Sequence, residues 1–515
     1  FSGYVVLLPL MYCHAKLKNI SQHTVISAHL FLPDYSPMNR DSFYPAIACF
    51  PLLLMLAGCA PMHETRQALS QQTPAAQVDT ALPTALKNGW PDSQWWLEYH
   101  DNQLTSLINN ALQNAPDMQV AEQRIQLAEA QAKAVATQDG PQLDFSADME
   151  RQKMSAEGLM GPFALNDPAA GTTGPWYTND TFGLTAGWHL DIWGKTRAEV
   201  TARLGTVKAR AAEREQTRQL LAGSVARLYW EWQTQAALNT VLQQIEKEQN
   251  TIIATDRQLY QNGITSAVEG VETDINASKT RQQLNDVAGK MKIIEARLSA
   301  LTNHQTKSLK LKPVALPKVA SQLPDELGYS LLARRADLQA AHWYVESSLS
   351  TIDAAKAAFY PDINLMAFLQ QDALHLSDLF RHSAQQMGVT AGLTLPIFDS
   401  GRLNANLDIA KAESNLSIAS YNKAVVEAVN DVARAASQVQ TLAEKNQHQA
   451  QIEHDALRVV GLAQARFNAG IIAGSRVSEA RIPALRERAN GLLLQGQWLD
   501  ASIQLTGALG GGYKR

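Results

Sequence analysis

The sequence carries the same strand-to-helix junction twice, and this duplication constrains the fold more than any other feature. Gly183 to Arg197 reads GLTAGWHLDIWGKTR, and Gly388 to Arg402 reads GVTAGLTLPIFDSGR. In each, polar and apolar residues alternate, an aromatic and a Gly-containing turn follow, and a long Ala-rich polar segment begins. A second pair of landmarks follows both junctions, Tyr260 to Ile264 and Phe467 to Ile471. A third pair precedes them, Gly140 to Phe145 and Tyr360 to Leu365. Three matched landmarks in one order indicate an internal repeat. The halves differ mainly in one loop, Ser155–Asp180, which is longer in the first half and reads as an exposed connection.

Each half reads helix, strand, loop, strand, very long helix, Gly break, helix. Period-two alternation places strands near Pro141–Lys153, Thr181–Ile192, Pro361–Gln371 and Gln386–Ile397, as in Leu143, Phe145, Ala147 and Met149. Proline at position 361 suits a strand's first residue. From Trp193 to Tyr260 there is no proline. About 65 residues at roughly 1.5 Å each make a rod about 100 Å long, with Gly205 and Gly223 as tolerated breaks. Leu238, Ile245, Ile252 and Leu259 recur at heptad spacing, as do Val425, Val432 and Val439. That period favours coiled-coil packing. The fold class is therefore mainly α with a small β part.

The N-terminal region reads as a processing signal. After Met38 and Arg40 comes an apolar stretch from Phe43 to Ala57, then Leu56-Ala57-Gly58-Cys59. Charge, apolar run, small residues and cysteine come in secretory order. The ending resembles a bacterial lipoprotein box, which implies cleavage before Cys59 and a diacylglycerol plus an N-acyl chain on that cysteine. Ala60, where such proteins carry Asp for inner-membrane retention, favours the outer membrane. The expected organisation is 1–37 a non-native upstream extension, 38–58 signal peptide, 59–90 a lipid-anchored extended arm, 91–308 first repeat, 309–323 linker, and 324–515 second repeat. Cys13, Cys49 and Cys59 all precede a long cysteine-free remainder, so no disulfide framework or thiolate metal site can be built there.

A net charge of −4 is small for 515 residues and argues against a nucleic-acid binder, which usually shows a basic stripe or patch. No apolar run reaches the ~20 residues a spanning helix needs, whereas barrel strands need only ~10 alternating residues each. Catalytic patterns fail on inspection. Gly187 to Thr196 ends in Gly-Lys-Thr, but the glycine spacing is wrong for a phosphate loop. His63-Glu64 lacks the second histidine of a zinc-protease helix. No enzyme, metal site or cofactor is expected.

Taken together, the Trp95-Trp96…Asp101…Leu104…Leu107-Ile108…Ala111-Leu112 opening, Trp188 to Gly194, and Leu395 to Arg402 resemble the TolC family of outer-membrane efflux proteins, in its lipoprotein (NodT-like) branch. The resemblance covers essentially Cys59 to Tyr513. It implies a homotrimer in the bacterial outer membrane, with four strands per chain in one shared twelve-stranded barrel. A long α-helical coiled-coil barrel continues it through the periplasm. It implies a passive exit duct for drugs and other toxic compounds, served by a periplasmic adaptor (membrane fusion protein) and an inner-membrane transporter. Four strands cannot close a barrel alone, and open edges are not tolerated in lipid.

The barrel-to-helix junctions are expected at Asp191, Trp193 and Gly194, and at Pro396, Phe398 and Gly401. Gly263 and Gly470 would turn the helix tips, near which the family's adaptors dock. The family's periplasmic constriction is lined by acids after the second-half Gly break; here those positions are Arg476 and Glu479, with Glu269 and Glu272 in the first half. The plainer reading of these charges is a solvated helix face. Metal-ion or protein export through the same architecture is an alternative, and a structural coiled-coil envelope lipoprotein is one of another class.

Overall fold

The computed structural model describes Met62, residues 68–72, 89–167, Ala169, 172–303, 309–318 and 328–513. The chain divides into two units, Phe1–Gly58 and Cys59–Arg515, and all described residues lie in the second. Cys59, the signal segment and most of the arm lie outside the described residues.

The helices are α1 (Asn102–Asn114), α2 (Pro116–Ala136), α3 (Lys195–Gln261), α4 (Ala267–Leu301), α5 (Gly328–Arg334), α6 (Ala336–Ala357), α7 (Arg402–Asn468) and α8 (Gly474–Ala508). The strands are β1 (Gln142–Lys153), β2 (Asn166–Asp167), β3 (Thr172–Thr173), β4 (Trp176–Leu190), β5 (Asp362–Ala373) and β6 (Gln385–Thr394). The long helices match in length: α3 and α7 have 67 residues each, α4 and α8 have 35 each. Tip-proximal, α8 packs against both α3 and α7, and α4 packs on α3; strand-proximal, α6 lies against α3 and α7, and α2 against α3.

The seam of α7 is the one its heptads predict: Val425, Val432 and Val439 are buried in one core with Leu338, Val345 and Leu505. On α3, Ile245 and Ile252 are buried, while Leu238 and Leu259 are half-buried. A second core gathers Trp96, Leu104, Ile108, Tyr229, Trp230 and Leu298. Asp101 caps α1 with one carboxylate oxygen, which accepts from the amides of Gln103 and Leu104 at 2.8 Å each. Its other oxygen accepts from the Tyr229 hydroxyl at 2.7 Å, so the cap also ties α1 to α3. An N-cap of this type contributes about 1 kcal/mol.

Gly205 is not a break. The α3 helix runs through it, and a Cβ there would lie 3.0 Å from Cβ of Ser347 on α6. The missing side chain permits that approach, and the Ser347 hydroxyl then donates to the carbonyl of Ala202 at 2.7 Å. Segment 309–318 is likewise more than a tether. The Lys312 amide donates to Gln103 Oε1 at 2.9 Å, and its carbonyl accepts from Gln233 Nε2 at 3.0 Å. The Val314 amide donates to Gln233 Oε1 at 2.8 Å, and Gln495 donates to Pro317 at 3.1 Å. The segment is a strap bonded across α1, α3 and α8. Part of the arm also lies along α7: the amides of Leu69 and Gln72 donate to the side chains of Asn415 and Asn422.

The four long strands form an antiparallel sheet in the order β1-β4-β5-β6. Two boundaries differ from expectation. The β4 strand begins at Trp176 rather than near Thr181, because β1 continues to Lys153 and pairs it with Trp176. The β6 strand stops at Thr394, paired with Asp362 and short of Pro396, which has no N–H to give to a ladder. The register sorts side chains by face. Leu143, Phe145 and Met149 share one face with Phe182, Leu184, Ala186 and Trp188, then with Leu365 and Leu369, then with Met387, Val389 and Leu393. The other face carries Asp144, Ser146, Asp148, Thr181, Thr185, Asn364, Gln370, Gln386 and Thr390, interrupted by Met366 and Phe368, while Asp180 and Gln371 fall on the apolar side. Among the described residues, the edge strands β1 and β6 each have a sheet neighbour on one side only.

Candidate functional site

The polypeptide passes from sheet to rod at two junctions, and a carboxylate organises each. Leaving β4, the chain reaches Gly194, whose φ of 77° is a left-handed turn that a Cβ would strain. Asp191 then folds back over the first turn of α3. Its oxygens accept from the amides of Thr196 at 3.2 Å and Arg197 at 2.9 Å, with the Arg197 guanidinium at 3.4 Å. These are amides that a helix start leaves without partners. The Asp191 side chain is only 7% exposed. Burial opposes its ionisation, yet the two amides and the guanidinium outweigh it and hold the carboxyl below the usual range.

The second junction achieves the same end differently. Gly401 has a φ of 84°, and Ser400 before it is also left-handed at 56°. Asp399 accepts from the amides of Gly401 at 3.0 Å and Leu403 at 2.8 Å, capping α7. Sequence reasoning named Pro396, Phe398 and Gly401 but missed the role of Asp399. The signal was an Asp two residues before a glycine at the head of an Ala-rich run.

The aromatics at the junctions are not equivalent. Trp193 stacks on Tyr360, with ring centroids 4.9 Å apart and planes at 18°, and its Nε1 donates to the carbonyl of Pro361 at 2.8 Å. It thus joins the end of β4 to the start of β5. Phe398 is 86% exposed. On the apolar face of the sheet, Trp188 Nε1 donates to the carbonyl of Asp139 at 2.9 Å.

At the far ends of the rods, Gly263 and Gly470 have φ of 70° and 73°. The Gly263 amide donates to Tyr260 and the Ile264 amide to Leu259, each at 2.9 Å; the Gly470 amide donates to Phe467 at 2.8 Å and the Ile471 amide to Arg466 at 2.9 Å. This paired bonding is the Schellman helix stop, made identically at both tips. Around them Tyr260, Ile264, Val268, Val271 and Ile471 are exposed.

Arg476 and Glu479 do come together. The Arg476 Nη1 donates to Glu479 Oε2 at 2.7 Å, one helical turn away on α8. That hydrogen bond and the Glu479 charge raise the Arg476 pKa, with Asp256 and Glu269 adding to it across the hairpins. The pair is therefore closed within one chain. Glu269 and Glu272 are exposed on the first turns of α4.

Among the described residues no group of three or more His, Cys, Asp or Glu is placed to hold a metal ion, and no helix is long and apolar enough to cross a membrane.

The family described as outer membrane efflux protein matches residues 107–304 and 327–511. The chain is 98% identical over 478 residues to the multidrug resistance outer membrane protein MdtQ of Escherichia coli O157:H7, covering 93% of this chain and 100% of that protein. It is 36% identical over 466 residues to the multidrug resistance outer membrane protein MdtP of Shigella flexneri, covering 89% and 94%. Among solved structures it resembles the outer membrane protein VceC of Vibrio cholerae, with a TM-score of 0.69 and 25% identity over 82% of this chain and 100% of that one.

Proposed function

The chain belongs to the outer membrane efflux protein family, and from that premise we propose that it is the outer-membrane channel of a tripartite efflux system. In this reading it is a passive exit duct for drugs and other toxic compounds. The observation that carries it is the sorting of the sheet into an apolar and a polar face, continuous through capped junctions with two 67-residue helices. An apolar face suits lipid and a polar face suits a water-filled lumen. A sheet with two open edges cannot stand in lipid. Three copies, each joining β1 to a neighbour's β6, would close a twelve-stranded barrel and remove every edge.

The matched lengths of α3 with α7 and α4 with α8 support a repeated half, so the trimer would have true threefold and approximate sixfold symmetry. The exposed Ile409, Leu416, Val426 and Leu457 on α7 and Val271 and Ile275 on α4 offer apolar seams to neighbouring chains. Cys59 would carry the diacylglycerol and N-acyl chains, and the arm lying along α7 would lead from that anchor to the body. Arg476, Glu479, Glu269 and Glu272 would surround the periplasmic mouth. The tips at Gly263 and Gly470 would receive a periplasmic adaptor, and an inner-membrane transporter would supply the energy. A coiled-coil tether, by contrast, has no use for a two-faced sheet.

The test is a deletion strain that expresses the partner pump, challenged with drugs, dyes and metal salts. We expect greater sensitivity to drugs and dyes, restored by the wild-type chain. Sensitivity to metal salts alone would move the assignment to metal export, and unchanged sensitivity throughout would refute efflux.

A further inference from the structure

On the four long strands both cations other than histidine, Arg151 and Lys153, lie on the apolar face, and every carboxylate except Asp180 lies on the polar one. On the polar face stand Asp144, Asp148 and Glu150 of β1, paired across to Thr185, Thr181 and Asn179. The same face receives Asp362 and Asp372 of β5. The Thr181 hydroxyl donates to Asp372 at 3.4 Å, and His189 lies 3.5 Å from Asp362. The basic residues of these strands turn the other way. Arg151 and Lys153 alternate with the acids of β1 and so face outward, with the Arg151 guanidinium 5.8 Å over the Trp176 ring. His189 is the one basic side chain on the inward face of the four long strands, and it faces a carboxylate.

From this we infer that the barrel carries a charge filter of its own, in Asp144, Asp148 and Glu150, and that it favours cationic over anionic cargo. The inference rests on the three-copy barrel proposed above. Closure would not neutralise these acids. The strand brought beside β1 would be a neighbour's β6, whose inward positions are Gln386, Gly388, Thr390, Gly392 and Thr394. No lysine or arginine occurs anywhere on that strand. At the opposite end of the duct, Arg476 already offsets Glu479 within one helix. Glu269 and Glu272 would leave that mouth acidic as well, so the barrel acids would add to its charge rather than replace it. Rings of one sign in a water-filled pore with low-dielectric walls concentrate counter-ions and exclude co-ions.

The experiment uses the full chain, purified as its oligomer and inserted in planar bilayers under a potassium chloride gradient. The wild type should show a cation-selective reversal potential. Combining Asp144→Asn, Asp148→Asn and Glu150→Gln should lower the cation-to-anion permeability ratio several-fold while keeping an open pore. These side chains are exposed and the replacements are close in shape, so the fold should hold. Asp148→Asn alone should give a smaller shift of the same sign, and Arg151→Gln, on the outward face, should give none. A pore whose triple variant keeps full wild-type selectivity, or a wild type that prefers anions, overturns the filter alone. A wild-type chain that forms no pore overturns the duct and the filter together.

Discussion

Trp193 and Tyr360 stack with centroids 4.9 Å apart, and the Trp193 indole donates to the carbonyl of Pro361, next in sequence to Tyr360. One side chain thus links the two halves of the chain where sheet meets rod. Its counterpart, Phe398, is exposed. An aromatic pair contributes about 0.5–1.5 kcal/mol beyond its buried area, and a hydrogen bond about as much. Trp193→Phe should therefore lose roughly 1 kcal/mol and Trp193→Ala roughly 2–3 kcal/mol. Thermal melts in detergent would rank them wild type, Phe, Ala. Phe398→Ala should melt closer to wild type than Trp193→Ala does.

Asp191 makes a prediction about pH. Its carboxyl is held below the usual range in the folded chain, by the Arg197 and Thr196 amides against the opposing effect of burial. A group whose folded pKa is depressed contributes stability that is complete above its unfolded value, about 3.9. That contribution is lost as pH falls through the lower folded value. Asp191→Ala should cost about 1 kcal/mol at neutral pH, the usual worth of a lost cap. The gap between variant and wild type should close only in acid. A gap that stays constant down to the acid limit would show that the carboxylate's charge is not what caps α3.

The strands were legible because period-two alternation reports two different environments, and the register bears that pattern out from Leu143 through Leu393. The start of β4 was not legible. Residues 176–180 include Asn179 and Asp180, which read as loop, and only pairing with β1 makes them strand. The same limit hid Asp399, whose value depends on where the Gly401 turn aims the first amides of α7. Gly205 was visible but misread. A glycine's reason can lie on another helix, here Ser347, and no local pattern contains that neighbour. The charges at positions 476 and 479 were legible as a spacing. That they close on each other is a rotamer choice, which spacing leaves open.

The tips allow a separation of backbone from packing effects. Gly263 and Gly470 both sit in the left-handed region, and a Cβ at either would meet nothing within 4 Å. Any cost of substitution is then conformational, about 1–2 kcal/mol for an ordinary residue. Asparagine tolerates this region better than alanine does. Gly470→Asn should therefore fall between wild type and Gly470→Ala in stability, with the same order at Gly263. Protease cleavage at the tips would report it. Equal cleavage of the Ala and Asn variants would count against the backbone account.

The pairing of Arg476 with Glu479 predicts opposite responses to its two single removals. An exposed pair of this kind is worth about 0–1 kcal/mol, so neither removal should unfold the chain. What changes is net charge at the mouth. Arg476→Ala frees Glu479, beside the negative charges of Asp256 and Glu269 that already act on this arginine. Cation preference in planar bilayers should rise. Glu479→Ala frees Arg476 and should reduce that preference. The double variant removes both signs together, so its reversal potential should return toward wild type, set by the acids that remain at the mouth and in the barrel. If the singles shift the potential in the same direction, the pair is not charge-compensating at the mouth. If all three variants conduct and select like the wild type, these residues do not lie on the ion path, and the solvated-face reading of α8 holds.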